Sequence, residues 1–257
     1  MRSIGRLFRT GGKKLVPFLT AGYPNLDDTL PLVLAAEDAG AHMIELGMPF
    51  SDPLADGPVI QAASQQALAN GVTVEWVLET VSAIRSRTTL PLVLMGYVNP
   101  LRRYGSEAFI EAASSAGADG LIVPDLPPEE GRDFFRQARD HGLSTVYLVA
   151  PNTPSRRIEQ LGAEAEDLLY AVSILGVTGS RISAREKLPT YLKGIRQATR
   201  VPFVVGFGIT TAADVRSIAP HADGVVVGSA LLRILQQAGN PARECREYLG
   251  TLAEAMD

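Results

Sequence analysis

Eight short apolar runs recur along the chain, each separated from the next by a longer stretch with helical spacing. They are Leu15–Thr20, His42–Leu46, Leu92–Met95, Gly120–Val123, Thr145–Val149, Leu168–Ser173, Phe203–Val205 and Gly224–Val227. Most are nearly uninterrupted, as parallel strands buried on both faces must be. Between them, Asp27 to Ala39 opens on an acidic pair and tolerates Pro31 near its first turn. Thr73 to Ser86 carries Trp76, Val77, Val81 and Ile84 on one face. Glu129 to His141 begins with acids and meets a glycine stop at Gly142. Eight strands alternating with about eight helices predict an α/β chain, a single (β/α)8 TIM barrel over residues 1–257 with extra short N-terminal and loop helices. A doubly wound open sheet is the alternative, but no strand runs into a G-x-G-x-x-G turn.

A weak internal repeat supports the strand count. Ala116 to Pro124 and Pro220 to Gly228 share one order: helix end, turn, an Ala-Asp-Gly step, then strand. Ala39 to Glu45 is a looser copy with His42 at the acidic step. No linker-like or low-complexity segment interrupts the pattern.

The formal charge of −4 argues against nucleic acid or an anionic membrane surface as partner. It also requires that any anionic substrate be held by local donors. The single cysteine, Cys245, excludes an intrachain disulfide and suits a reducing compartment; its place in a late helical pattern reads as packing or surface. Residues 1–14 are basic but lack an apolar signal core, and no run approaches 18 apolar residues, so a soluble cytoplasmic protein is expected.

In a barrel, chemistry sits at the C-terminal strand ends and in the loops that follow. Glu45, Tyr97, Asn99, Asp125 and Ser173 fall at or just after such ends. The segment Met43 to Pro58 draws most attention: an apolar strand ends on Glu45, among Ile44, Leu46 and Met48, and a proline-stiffened loop with Asp52 and Asp56 follows. Two carboxylates in unlike surroundings separate an acid from a base. Either aspartate could be the second group, and Ser51-Asp52-Pro53 also reads as a capped turn. Tyr170 lies inside the sixth strand, where an aromatic serves the core as readily as chemistry. Three glycine motifs follow strands six, seven and eight: Gly176 to Gly179, Gly206 to Gly208 and Val227 to Ala230. Each alone is ordinary turn chemistry; on adjacent loops they suggest an anion cradle of main-chain amides with the hydroxyls of Thr178 and Ser229. His42, His141 and His221 precede strand starts, the wrong end for catalysis, and no cluster has metal-ligand spacing.

With these residues in view, the chain closely resembles the tryptophan synthase alpha subunit family. The resemblance runs through Val16 to Pro24, Ile44 to Gln61, Tyr97 to Pro100, Pro124 to Pro127, Gly176 to Gly179, Gly206 to Ile209 and Val227 to Ala230. The block Glu45 to Pro58 is the most specific part. The resemblance implies a lyase that splits indole-3-glycerol phosphate into indole and glyceraldehyde 3-phosphate by a retro-aldol route in L-tryptophan biosynthesis. It assigns acid–base chemistry at indole C3 to Glu45, the indole N–H contact to Asp56, and a place beside the acid to Tyr170. Phe18, Met95, Ile122 and Phe207 would wall the indole pocket; Thr178, Gly179, Gly208, Gly228 and Ser229 would hold the phosphate. Gly176 to Arg181, with Thr178 and Arg181, would begin a mobile loop, where Leu175 departs from an expected small hydroxyl residue. No cofactor is expected in this chain, because protonated indole is its own electron sink; pyridoxal phosphate would belong to a beta subunit in an alpha2beta2 assembly. The contact loops would be Pro53 to Pro58 and Asn99 to Tyr104. A stand-alone indole-releasing lyase, a non-catalytic activator of a beta enzyme and a sugar-phosphate isomerase are the competing readings.

Overall fold

The computed structural model describes residues 3–173, 181–206 and 208–256, the side chains of residues 181–186 excepted. Eight strands form a closed, wholly parallel barrel in sequence order. They are β1 (Lys14–Thr20), β2 (Ile44–Gly47), β3 (Leu92–Met95), β4 (Gly120–Ile122), β5 (Ser144–Val149), β6 (Leu169–Val172), β7 (Phe203–Gly206) and β8 (Gly224–Val227). The described helices begin with α1 (Ser3–Arg9), α2 (Thr29–Asp38), α3 (Pro58–Ala69), α4 (Val74–Arg85), α5 (Val98–Tyr104) and α6 (Ser106–Ala116). They continue with α7 (Arg132–Asp140), α8 (Ser155–Ala165), α9 (Arg181–Ala198), α10 (Ala212–Ile218), α11 (Ser229–Gln237) and α12 (Pro241–Ala253). The expected barrel is therefore present, and so are its extra helices: α1 precedes the barrel, while α3, α5 and α11 lie in the loops after β2, β3 and β8.

Element boundaries differ from the sequence expectation where side chains compete with the backbone. The expected helix Asp27 to Ala39 divides into a 3-10 turn, Leu26–Asp28, and α2; the Thr29 hydroxyl accepts the Gly22 N–H at 2.8 Å. Helix α7 starts at Arg132 instead of Glu129, because Pro127 to Gly131 is spent on a turn whose carbonyl at Pro127 accepts the N–H groups of Glu130 and Gly131. Gly131 lets this turn close: an added Cβ would lie 2.7 Å from both Leu126 and Phe135.

The floor of the barrel is built from small residues and one device repeated four times. Gly120, Ser144 and Gly224 start their strands with little side-chain bulk, and the fully buried Ile4 of α1 fills the space above Gly120. Before each even-numbered strand, a side chain reaches back to the start of the preceding odd strand. Nδ1 of His42 accepts the Leu15 N–H at 3.2 Å, Asp119 accepts the Leu92 N–H at 2.8 Å, Asp167 accepts the Ser144 hydroxyl at 2.7 Å, and Asp223 accepts the Phe203 N–H at 2.9 Å. Arg85 and Arg196 join the second and fourth clamps at 2.7 and 2.6 Å. The Ala-Asp-Gly repeat read in the sequence is this clamp. Its looser copy at His42 keeps the acceptor and loses the charge, and burial followed by the nearby Lys14 lowers the histidine pKa, which preserves the neutral ring.

Asp119 also receives the Ser3 hydroxyl, so it joins α1, α4 and β3 at one carboxylate. Replacing Asp119 with Ala leaves the Leu92 N–H and one face of Arg85 without an acceptor, which should cost about 1–3 kcal/mol. Asp119→Asn, which keeps one acceptor oxygen, should lose less. Urea denaturation measures both; an unchanged midpoint for the Ala variant would mean that the clamp contributes nothing to stability.

Candidate active site

Side chains on a strand alternate between faces, so inward positions recur every second residue. Counting by two from Phe18 through the registers of neighbouring strands brings Glu45, Met95, Ile122, Leu148, Tyr170 and Val226 to the C-terminal mouth. All seven line one cavity. Asp56 and Ile60 enter it from the loop and helix after β2, Gly208 and Ile209 from the loop after β7, and Gly228 and Ser229 from the end of β8. Strand β7 gives no side chain because the volume is taken: a Cβ on Gly206 would lie 1.9 Å from the Tyr170 hydroxyl oxygen. Gly206, read from sequence as part of an anion-binding turn, serves here to seat Tyr170.

The two carboxyl groups differ in surroundings. Glu45 is 2% exposed, and its pKa is pushed up to about 8, first by burial and then by the charge of Asp56. It is therefore a proton donor at neutral pH. Asp56 rises to about 6 through burial, opposed by hydrogen bonding from the Tyr97 hydroxyl. That hydroxyl also accepts the Ala55 N–H at 3.1 Å, so Tyr97 braces the loop at the residue beside the carboxylate. Oδ1 of Asp56 is buried and has no hydrogen-bond partner among the described residues. A buried acceptor left open in this way is costly unless a ligand donor fills it. Asp52 is exposed, takes the hydroxyl of its neighbour Ser51, and lines an outer groove. The ambiguity between the aspartates is resolved in favour of Asp56 as the group facing the cavity.

The opposite end of the cavity suits an anion. Gly208 has φ +79°, in the left-handed region, and Gly228 and Ser229 lie at the N-terminus of α11, whose first N–H groups have no intrahelical acceptor. Thr178, Gly179 and Phe207, and with them Leu175 and the side chain of Arg181, lie outside the described residues. Of the other strand-end candidates, Asp125 accepts the Val98 N–H at the start of α5 and Ser173 donates to the Gly206 carbonyl, so both shape loops near the site. Asn99 lines the outer groove. Leu148, Ile60, Ile209 and Val226 were not singled out in the sequence; Leu148 and Val226 reach the mouth through strand registers that only the structure shows.

A profile of the tryptophan synthase alpha chain matches residues 6–257. The chain belongs to the tryptophan synthase alpha chain family. Membership carries the alpha-chain role in tryptophan biosynthesis and lyase chemistry. The chain is 46% identical to the tryptophan synthase alpha chain of Roseiflexus castenholzii over 253 residues, covering 98% of this chain and 95% of that one. It is 48% identical to the alpha chain of Chloroflexus aurantiacus, over 98% and 97% of the two chains. Its fold matches the crystal structure of tryptophan synthase subunit alpha from Legionella pneumophila with a TM-score of 0.92 at 35% identity, covering 100% and 99% of the chains. A chain of M. tuberculosis tryptophan synthase in its aminoacrylate-bound form gives 0.89 at 32% identity, with 100% of both chains covered. No described helix is long and apolar enough to cross a membrane.

The raised carboxyl pKa values set a pH dependence of stability. The folded chain holds protons at Glu45 and Asp56 that the unfolded chain releases near 4.5 and 3.8. Their contribution is thus complete at low pH and is lost as pH rises through about 6 for Asp56 and about 8 for Glu45. Glu45→Gln cannot ionise, so its melting temperature should fall less than the wild-type value from about pH 5 to 8. Melting curves across that range decide the point: parallel profiles would mean that Glu45 is not held protonated.

Proposed function

We propose that this chain cleaves indole-3-glycerol phosphate to indole and glyceraldehyde 3-phosphate by a retro-aldol route, with Glu45 and Asp56 as its catalytic residues and Tyr170 beside the acid. The open Oδ1 of Asp56, buried in the same apolar cavity as a protonated Glu45, carries this reading. Indole bears one N–H donor on an otherwise apolar ring, which matches one unfilled acceptor among Phe18, Met95, Ile122 and Leu148. In that pose Glu45 protonates indole C3, and Asp56 stabilises the cation that forms at the ring nitrogen. The bond from C3 to the glycerol carbon then breaks, its electrons restore the aromatic ring, and the hydroxyl on that carbon loses its proton and becomes the aldehyde. Glu45, now ionised, is the base nearest to hand for that proton. Gly208, Gly228 and Ser229 bind the phosphate through amides and a hydroxyl, with Thr178 and Gly179 as further ligands.

The ring serves as electron sink, so the chain needs no cofactor of its own; pyridoxal phosphate belongs to a beta subunit. Indole is neutral and permeable, and handing it directly to that partner in an alpha2beta2 assembly keeps it from diffusing away. Leu54, in the Pro53 to Pro58 loop, is 92% exposed, and Asn99, Pro100, Arg103 and Tyr104 edge the outer groove beside it with Phe50 and Leu68. An apolar side chain so fully in water suits a surface that a partner covers. The chain works as one domain, in keeping with a family match over 252 of its residues by position (6 to 257), and in the cytoplasm.

The assay is indole release from indole-3-glycerol phosphate, with and without a beta subunit. Glu45→Gln should lower turnover by about 10²–10⁴-fold or more with substrate binding nearly intact, since an amide fits but cannot deliver the proton. Asp56→Asn should also be severely impaired, because it loses the charge and points new N–H donors toward the indole N–H. Unchanged turnover in Glu45→Gln, or full activity in Asp56→Asn with loss in Asp52→Asn, would overturn the assignment.

A further inference from the structure

The anion end of the cavity depends on a turn that is held from outside the barrel. After β7, Gly208 is exposed in the left-handed region, Ile209 is 3% exposed and drives its side chain into the cavity wall, and Thr210 returns to the surface. The N–H groups of Thr210 and Thr211 both donate to Asp214 Oδ2, at 3.1 and 3.0 Å, as part of the capping box that starts α10. The carbonyl of Thr210 accepts the hydroxyl of Tyr248 at 2.9 Å. Tyr248 comes from α12, the helix that packs beside α10, where the fully buried Cys245 and Leu249 fix the helix and its own ring packs on the core. Thr210 is exposed, so water could satisfy its carbonyl equally well. The bond to Tyr248 therefore adds direction: it fixes the plane of the peptide between Thr210 and Thr211, and through it the turn that begins at Gly208.

We propose that Tyr248 is a positioning residue for the phosphate end of the site, holding the turn that begins at Gly208 so that the Gly208 amide faces the anion. This rests on the reading of Gly208 as a phosphate ligand. Amides bind anions well only when already oriented, since a turn that must reorganise on binding returns part of the affinity as ordering cost. Ile209 is anchored by its own burial, so the indole end of the cavity does not depend on Tyr248. Gly208 itself is a poor probe, because any side chain there strains a positive φ whatever its effect on the anion.

Tyr248→Phe keeps the ring and deletes the bond. Its KM for indole-3-glycerol phosphate and its Kd for glycerol 3-phosphate should rise about three- to tenfold, the span of one hydrogen bond. Turnover at saturation should stay within about twofold, because the interaction is made equally in ground and transition states. Binding of unphosphorylated indole and the melting temperature should match the wild type. Unchanged values for both phosphorylated ligands, or equal weakening for indole, would overturn the role. A wild-type chain that releases no indole would sink the lyase reading instead, and the glycerol 3-phosphate comparison would still judge Tyr248.

Discussion

The alternation of side chains in a closed parallel barrel is the constraint from which the site follows. Once eight strands close in sequence order, the residue that each one points into the mouth is set by register, and a shift of one position would turn Glu45 outward among the helices. Six other strand residues then surround that carboxyl, and all but Tyr170 are apolar. Burial of Glu45, and hence its hold on a proton, is a result of barrel closure. Asp56 is different in kind: it stands on a loop, and its place depends on Tyr97 at the end of β3.

That difference in support divides the labour between the acids. A strand carboxyl with dry neighbours stays neutral, while a loop carboxyl with one hydroxyl partner and one open oxygen ionises at lower pH and awaits a donor. The anion end works against a net charge of −4 with glycine turns and one helix start, so short-range geometry must do what the overall field cannot.

Much of this was legible in the sequence, for identifiable reasons. Strands buried on both faces leave runs such as Leu92–Met95 and Gly224–Val227 that stand apart from amphipathic helices, and both match the observed strands residue for residue. Glu45 was visible as a carboxylate closing an apolar run. Asp56 could be preferred to Asp52 but not separated cleanly from it, because a proline-rich loop has no periodicity that says which residue turns inward. Ile60 and Ile209 left no trace, since an isoleucine in a helix or turn looks the same against the core as against a ligand. The start of α7 was misplaced because Glu129 and Glu130 imitate a first turn while Pro127 and Gly131 build another structure.

The four clamps at the barrel floor change what counts as a building block. Each joins an odd strand to the even strand after it, so β1–β2, β3–β4, β5–β6 and β7–β8 are closed units, and the seams between them carry no such bond among the described clamps. A chain divided between β4 and β5 keeps every clamp whole on one fragment or the other. A chain divided between β3 and β4 parts Leu92 from Asp119 and leaves the first amide of a buried strand without its acceptor. The eightfold barrel is, in this sense, assembled in quarters, and the natural places to cut, graft or permute it are the seams that the clamp side chains do not cross.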